Sequence, residues 1–133
     1  MQADYKNVMD AIHIWIGYSS KSEEEFFQYF AINKADRDAG TGASQFDKDI
    51  CIRWYDDDLI GIYFKESSTD LADAIAELPL ASAAIEQLVL SKCRELKIDV
   101  ANALFYYTDA DLAIADSKKK YNGLTYLGAF DNR

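Results

Sequence analysis

Carboxylates interleaved with large aromatics crowd one short segment, Phe46-Asp47-Lys48-Asp49-Ile50-Cys51-Ile52-Arg53-Trp54-Tyr55-Asp56-Asp57-Asp58. Two chemistries are open to it. Acids and aromatic rings side by side suit the grip of a basic protein, with the charges steering encounter and the rings anchoring it. Paired acids, such as Asp47 with Asp49 or Glu24 with Asp56, would instead serve general acid and base work if they converged in a pocket. The binding candidates are Asp47, Asp49, Trp54, Tyr55, Asp56, Asp57 and Asp58. In an extended segment Trp54 and Tyr55 face opposite ways, so one of them is expected in the core, and Trp54 is the expected one.

The remaining chemistry-bearing residues offer less. His13 is the only histidine and sits in a strand-like run beside Trp15. No partner at a telling spacing makes it a metal ligand or half of a serine–histidine pair, so a structural or surface role is expected. Asp56 to Asp58 lack the alternating oxygen ligands, central glycine and terminal glutamate of a calcium loop. Asp109-Ala110-Asp111 reads as a solvated turn. Gly61 and Gly128 stand singly within strands, form no phosphate loop, and mark a bulge or a close backbone contact. Cys51 and Cys93 are expected as buried thiols rather than ligands or nucleophiles. No cofactor or metal is implied, and the chain reads as a binder, not an enzyme.

The chain has 133 residues, 50% of them apolar and 14% aromatic, which suits one ordered domain with a real core. Its formal charge is -9, from 23 acids against 14 bases. Ten of the acids and only four of the bases fall between Asp36 and Asp73, a local net charge of -6. Such a field repels nucleic acid and acidic lipid and speeds encounter with a basic protein; it also serves plain solubility. Neither a membrane-spanning run nor a basic leader into an apolar stretch is read, so a cytoplasmic setting is expected.

Elements must position these groups. A strand is expected at 11–18, with Ile12, Ile14 and Ile16 toward the core and His13, Trp15 and Gly17 on the other face. Ser20 or Ser22 caps a helix whose first turn holds Glu23, Glu24 and Glu25 and which buries Phe26, Phe27 and Phe30. A glycine-containing loop over 33–44 follows. Ser44 then caps a short helix through Phe46 and Ile50, with Asp47 completing a weak capping box while pointing outward with Lys48. A strand at 59–64 comes after the aspartate run. Ser68 and Thr69 open a helix using Leu71, Ala74 and Ile75, and Pro79 separates it from a helix at 80–96. There Ala81, Ala83 and Ala84 would allow close packing beside a stripe of Ile85, Leu88, Val89 and Leu96. Strands at 103–107 and 124–130 close the chain, with the surface run Lys118-Lys119-Lys120 and an Asn122-Gly123 turn between them. The sum is an α+β domain over 1–133: a single mixed or antiparallel sheet of four to five strands with three to four helices.

The opening His13-Ile14-Trp15-Ile16-Gly17-Tyr18, then Ser22-Glu23-Glu24-Glu25 and the aromatic helix to Tyr29-Phe30, resembles the start of the bacterial immunity protein 22 family. The aspartate-rich centre, Asn102-Ala103-Leu104-Phe105-Tyr106-Tyr107 and Tyr126-Leu127-Gly128-Ala129-Phe130 are similar to later parts of that family, so the likeness runs from about residue 12 to 130. It departs at Ile50-Cys51-Ile52, where the family pattern carries an aromatic and a glycine, and at Leu59-Ile60-Gly61, where a further acid follows. What the resemblance implies is a cytoplasmic immunity protein of a polymorphic toxin system, which neutralises its cognate protein toxin; the acidic aromatic face is expected to do so by binding the toxin and occluding its active site. A basic nuclease would suit the acidic face. A small hydrolase with clustered carboxylates and a non-catalytic dimeric adaptor are the alternatives, and the sequence offers no preference between monomer and dimer.

Overall fold

The computed structural model describes residues 7–32, 35, 38–40 and 42–133. Most of the expected 33–44 loop's charged residues lie outside that range. Five strands form one antiparallel sheet: β1 (Ala11–Gly17), β2 (Ile60–Asp70), β3 (Val100–Tyr107), β4 (Lys120–Tyr121) and β5 (Leu124–Asp131), in the order β2-β3-β1-β5-β4. Among the described residues, four α-helices with defined bounds pack on it: α1 (Glu23–Gln28), α2 (Gln45–Ile50), α3 (Leu71–Ile75) and α4 (Ala83–Glu95). The expected α+β class is the one observed.

Strand β1 is central because both its faces are apolar, and all seven of its residues are buried. Its isoleucines, as expected, enter one core with Leu71, Ile75, Ile85, Val89 and Leu104, roofed by α3 and α4. Trp15 enters a second, aromatic core with Phe26, Phe30, Phe46, Phe105 and Tyr121, roofed by α1 and α2. The face expected to be secondary is therefore a full core. Its rings meet edge-on, stacked or tilted, with Trp15 stacked 4.8 Å from Phe105 and edge-on 5.7 Å from Phe46 between centroids.

Local signals set the boundaries. The hydroxyl of Ser22 accepts from the backbone N–H of Glu25, and the Glu25 carboxyl accepts from Ser22, which holds that acid below its ordinary pKa. Asn122 and Gly123 both take positive φ, 54° and 80°, as the two-residue turn between β4 and β5 requires. Gly61 lies opposite Tyr106 across β2 and β3, and a Cβ there would stand 2.2 Å from the Tyr106 ring. Close contact is its role. Next to Gly128 the β1–β5 register shifts, so Leu127 is the extra residue of a bulge.

Four expectations are corrected. Strand β2 runs through Ser68 and Thr69, since the Thr69 hydroxyl donates to the Ala101 carbonyl (3.0 Å) and keeps the chain on β3. Helix α4 begins only after Ser82, whose side chain accepts from Ile85 N–H, so Leu80 and Ala81 stay outside it. Ala81, Ala83 and Ala84 are exposed, and so are Leu88 and Leu96, at 60% and 40%. Cys93 takes the buried place instead, and burial pushes its thiol up to about 11. Cys51 is exposed, because it ends α2 in the left-handed conformation with φ 63°.

Candidate functional site

The acidic aromatic segment is built outward from α2. Ser44 caps that helix, and its backbone N–H and hydroxyl both donate to Asp47 Oδ2, at 3.1 and 3.0 Å. Asp47 Oδ1 accepts from the backbone N–H of Tyr55 at 2.7 Å. Asp47 is fully buried, contrary to the outward placement expected of it. The reason is that one short side chain satisfies donors from both sides of the loop, the Ser44 N–H and hydroxyl on one and the Tyr55 N–H on the other, and so is drawn between them. Lys48 is exposed as expected.

Asp49 is also committed internally. It accepts from the Tyr29 hydroxyl and from Gln45 Nε2 (2.9 Å), and it pairs with Lys119 at 3.4 Å. The lysine run is thus more than ordinary surface: Lys119 ties the β3–β4 connection to α2, and Lys120 donates to the Thr125 hydroxyl. Burial, reinforced by Asp49, pushes the Tyr29 hydroxyl pKa well above its usual range.

Beyond α2 the chain forms a braced platform. The Tyr55 hydroxyl donates to the Phe30 carbonyl (2.7 Å) and its ring packs on Phe46. Tyr55, not Trp54, is the ring turned toward the core. Sequence spacing showed that one of the two would turn in, but the Asp47 and Phe30 acceptors decide which. Trp54 is 46% exposed, with its indole N–H donating to the Gly42 carbonyl (3.2 Å) and the Arg53 guanidinium 4.8 Å from its ring centroid.

The aspartate run is fixed at the backbone, and one Asp56 carboxyl oxygen helps to fix it. Asp56 N–H donates to the Tyr107 hydroxyl (2.8 Å), Asp58 N–H to Asp56 Oδ1 (2.9 Å), and Leu59 N–H to the Asp56 carbonyl (3.0 Å). Asp56, Asp57 and Asp58 are all exposed. With Ile32, Trp54 and Tyr55 they line a surface groove of about 450 Å³. So five of the seven candidates share one groove, whereas Asp47 braces it through Tyr55 and Asp49 is engaged elsewhere, with Tyr29, Gln45 and Lys119. Ile32 is the lining residue that sequence reasoning missed, since nothing local links it to position 54.

His13 lies inside the sheet, with Nδ1 2.7 Å from the Tyr126 hydroxyl and Nε2 3.0 Å from the Asp109 carbonyl. A carbonyl only accepts, so Nε2 carries the proton and Nδ1 accepts from Tyr126. Burial lowers the His13 pKa, and the Asp109 carbonyl and carboxyl only partly oppose this. The fold therefore holds a neutral imidazole, while the unfolded chain takes up a proton near its ordinary 6.5. Stability is expected to be level above that pH and to fall on acidification below it, with a slope of at most about 1.4 kcal/mol per pH unit. Denaturant melts of wild type and His13→Gln between pH 7.5 and 5.5 check this; equal slopes would remove the assignment.

Among the described residues, no group of three or more His, Cys, Asp or Glu is placed to hold a metal ion. No helix among them is long and apolar enough to cross a membrane. Chemically, the groove offers negative charge, an accessible indole and a rigid backbone. Such a surface suits recognition of cationic side chains.

Comparison with known proteins gives one match that spans nearly the whole chain: the family model described as Immunity protein 22 matches residues 12–132. No curated protein and no solved structure matches the chain.

Proposed function

The chain belongs to the immunity protein 22 family, and from that membership we propose that it binds a cognate toxin and neutralises it without chemistry of its own. The contact face is the groove at Ile32, Trp54 and Asp56 to Asp58, which covers the toxin's active site. One observation carries this reading: three exposed carboxyls stand on a loop whose backbone N–H groups at Tyr55 and Asp56 are held by Asp47 and Tyr107 and whose Tyr55 hydroxyl is held by the Phe30 carbonyl, beside a half-exposed tryptophan. Preorganised charge and a fixed ring lower the ordering cost of binding. A basic partner, such as a nuclease with a cationic cleft, is the chemistry that fits. Both nitrogens of the only histidine are engaged inside the sheet, which favours binding over hydrolysis. The protein acts in the cytoplasm, where such a toxin would do its damage.

Electrostatic capture has a kinetic signature. Association with the purified toxin is expected to slow as salt rises from low to physiological concentration and beyond, with dissociation changing much less. Stopped-flow mixing reads both rates. An association rate indifferent to salt would overturn capture by this acidic face.

A further inference from the structure

A second groove, of about 380 Å³, lies away from the acidic loop, between α4 and the outer edge of β5. Lys92 and Leu96 line it from the helix, Lys118 from the β3–β4 connection, and Tyr126, Leu127 and Gly128 from the strand. Its origin is topological. Strand β4 is only two residues long and pairs Lys120 with Thr125 and Tyr121 with Leu124. Upstream of it, the backbone N–H groups of Lys118 and Lys119 both turn to Asp116 Oδ1, at 3.0 and 3.1 Å, so the chain leaves the sheet. From Tyr126 onward β5 pairs with β1 on its inner side and has no strand on its outer side among the described residues.

An edge of this kind is a template for another strand. Gly128 keeps it accessible: its φ is 125°, and no atom lies within 4 Å of where a Cβ would stand. Half-exposed Leu96 and the buried Leu127 give an apolar floor. The rim is cationic in a chain of net charge -9. Lys92 is engaged only by the exposed Glu95, at 3.6 Å, and Lys118 has no ion-pair partner among the described residues.

We infer that the open edge of β5 docks an extended acidic segment of a partner protein, which continues β4 as an added strand with its carboxylates on Lys92 and Lys118. Backbone hydrogen bonds to the edge supply affinity, and the two lysines select charge. The inference rests on the sheet edge and its rim, independently of the acidic loop.

The test uses the full chain and two short probe peptides, one alternating glutamate with valine and one alternating lysine with valine. Amide hydrogen exchange and NMR shifts are followed at residues 126–130. The acidic peptide is expected to protect these amides. Lys92→Glu combined with Lys118→Glu, changes at a half-buried and an exposed position, should weaken it about tenfold or more and transfer the preference to the lysine peptide. Absence of peptide-dependent protection at these amides, or equal response to both peptides, would overturn the inference. Protection already present without peptide, with a mass that doubles on concentration, would overturn it in favour of a second copy at the edge. The melting temperature of the double variant separates loss of binding from loss of fold.

Discussion

Replacing Asp56, Asp57 and Asp58 together with asparagine is expected to weaken toxin neutralisation by about tenfold to a thousandfold and to leave the melting temperature nearly unchanged. Asparagine keeps the size and the acceptor oxygen, so Oδ1 at position 56 still receives the Asp58 backbone N–H, and the donation from Asp56 N–H to Tyr107 is untouched. Only charge is removed from three exposed carboxyls around the groove. Truncating the anionic half of a desolvated pair costs roughly 2 kcal/mol or more, and a tenfold change in affinity needs about 1.4. Glu66, Glu77 and Glu86 changed together to glutamine form the matched control, because they remove the same charge from exposed positions elsewhere. Titration of toxin activity against each variant reads the effect. Full neutralisation by the aspartate variant would remove this loop from the interface, and equal weakening by both variants would reduce the loop to a contributor to the general field.

Asp47→Ala is expected to damage the fold itself. Three hydrogen bonds end on that side chain, and its loss removes the acceptor that the N–H groups of Ser44 and Tyr55 use and half of a capping box. Removing a buried acceptor costs about 1–3 kcal/mol per donor it served, so a total of about 3 kcal/mol and a drop in melting temperature on the order of 10 °C are expected. Asp47→Asn is the instructive partner. It can still accept from Tyr55 N–H, but its amide then faces the Ser44 backbone donor, and an intermediate loss follows. Thermal denaturation measures both variants; wild-type melting by Asp47→Ala would refute the bracing role. Neutralisation measured well below the melting point should weaken less than with the triple aspartate variant, because Asp47 supports the groove without lining it.

Most of the elements were legible along the chain. The alternation in Ala11–Gly17, the serines at 22 and 44 with acids three residues on, and Asn122-Gly123 each act over a few residues, so each announces its strand, cap or turn locally. Membership of the acidic loop was equally visible, since composition places Trp54 and Asp56 to Asp58 together whatever the fold. Errors came where a residue had two local options. Thr69 could open a helix or extend β2, and the carbonyl of Ala101, distant in sequence, decided for the strand. Cys51 carried apolar neighbours yet sits exposed at a helix end.

The sequence by itself determined an acidic α+β chain, an aspartate loop next to a tryptophan, and the likeness to its family. Only the tertiary structure decided which of those acids are available. Asp47, Asp49 and Asp56 have the same side chain and the same intrinsic acidity, but Asp47 turns inward to the Ser44 and Tyr55 donors, Asp49 is engaged by Tyr29, Gln45 and Lys119, and Asp56 remains at the groove. The placing of Trp54 and Ile32 on one groove, and the strand edge left open by a two-residue β4, were likewise decided in space. The physical reason is common to all of them: a carboxyl's role is set by the donors that reach it, and those donors arrive from elements that the chain brings together only on folding.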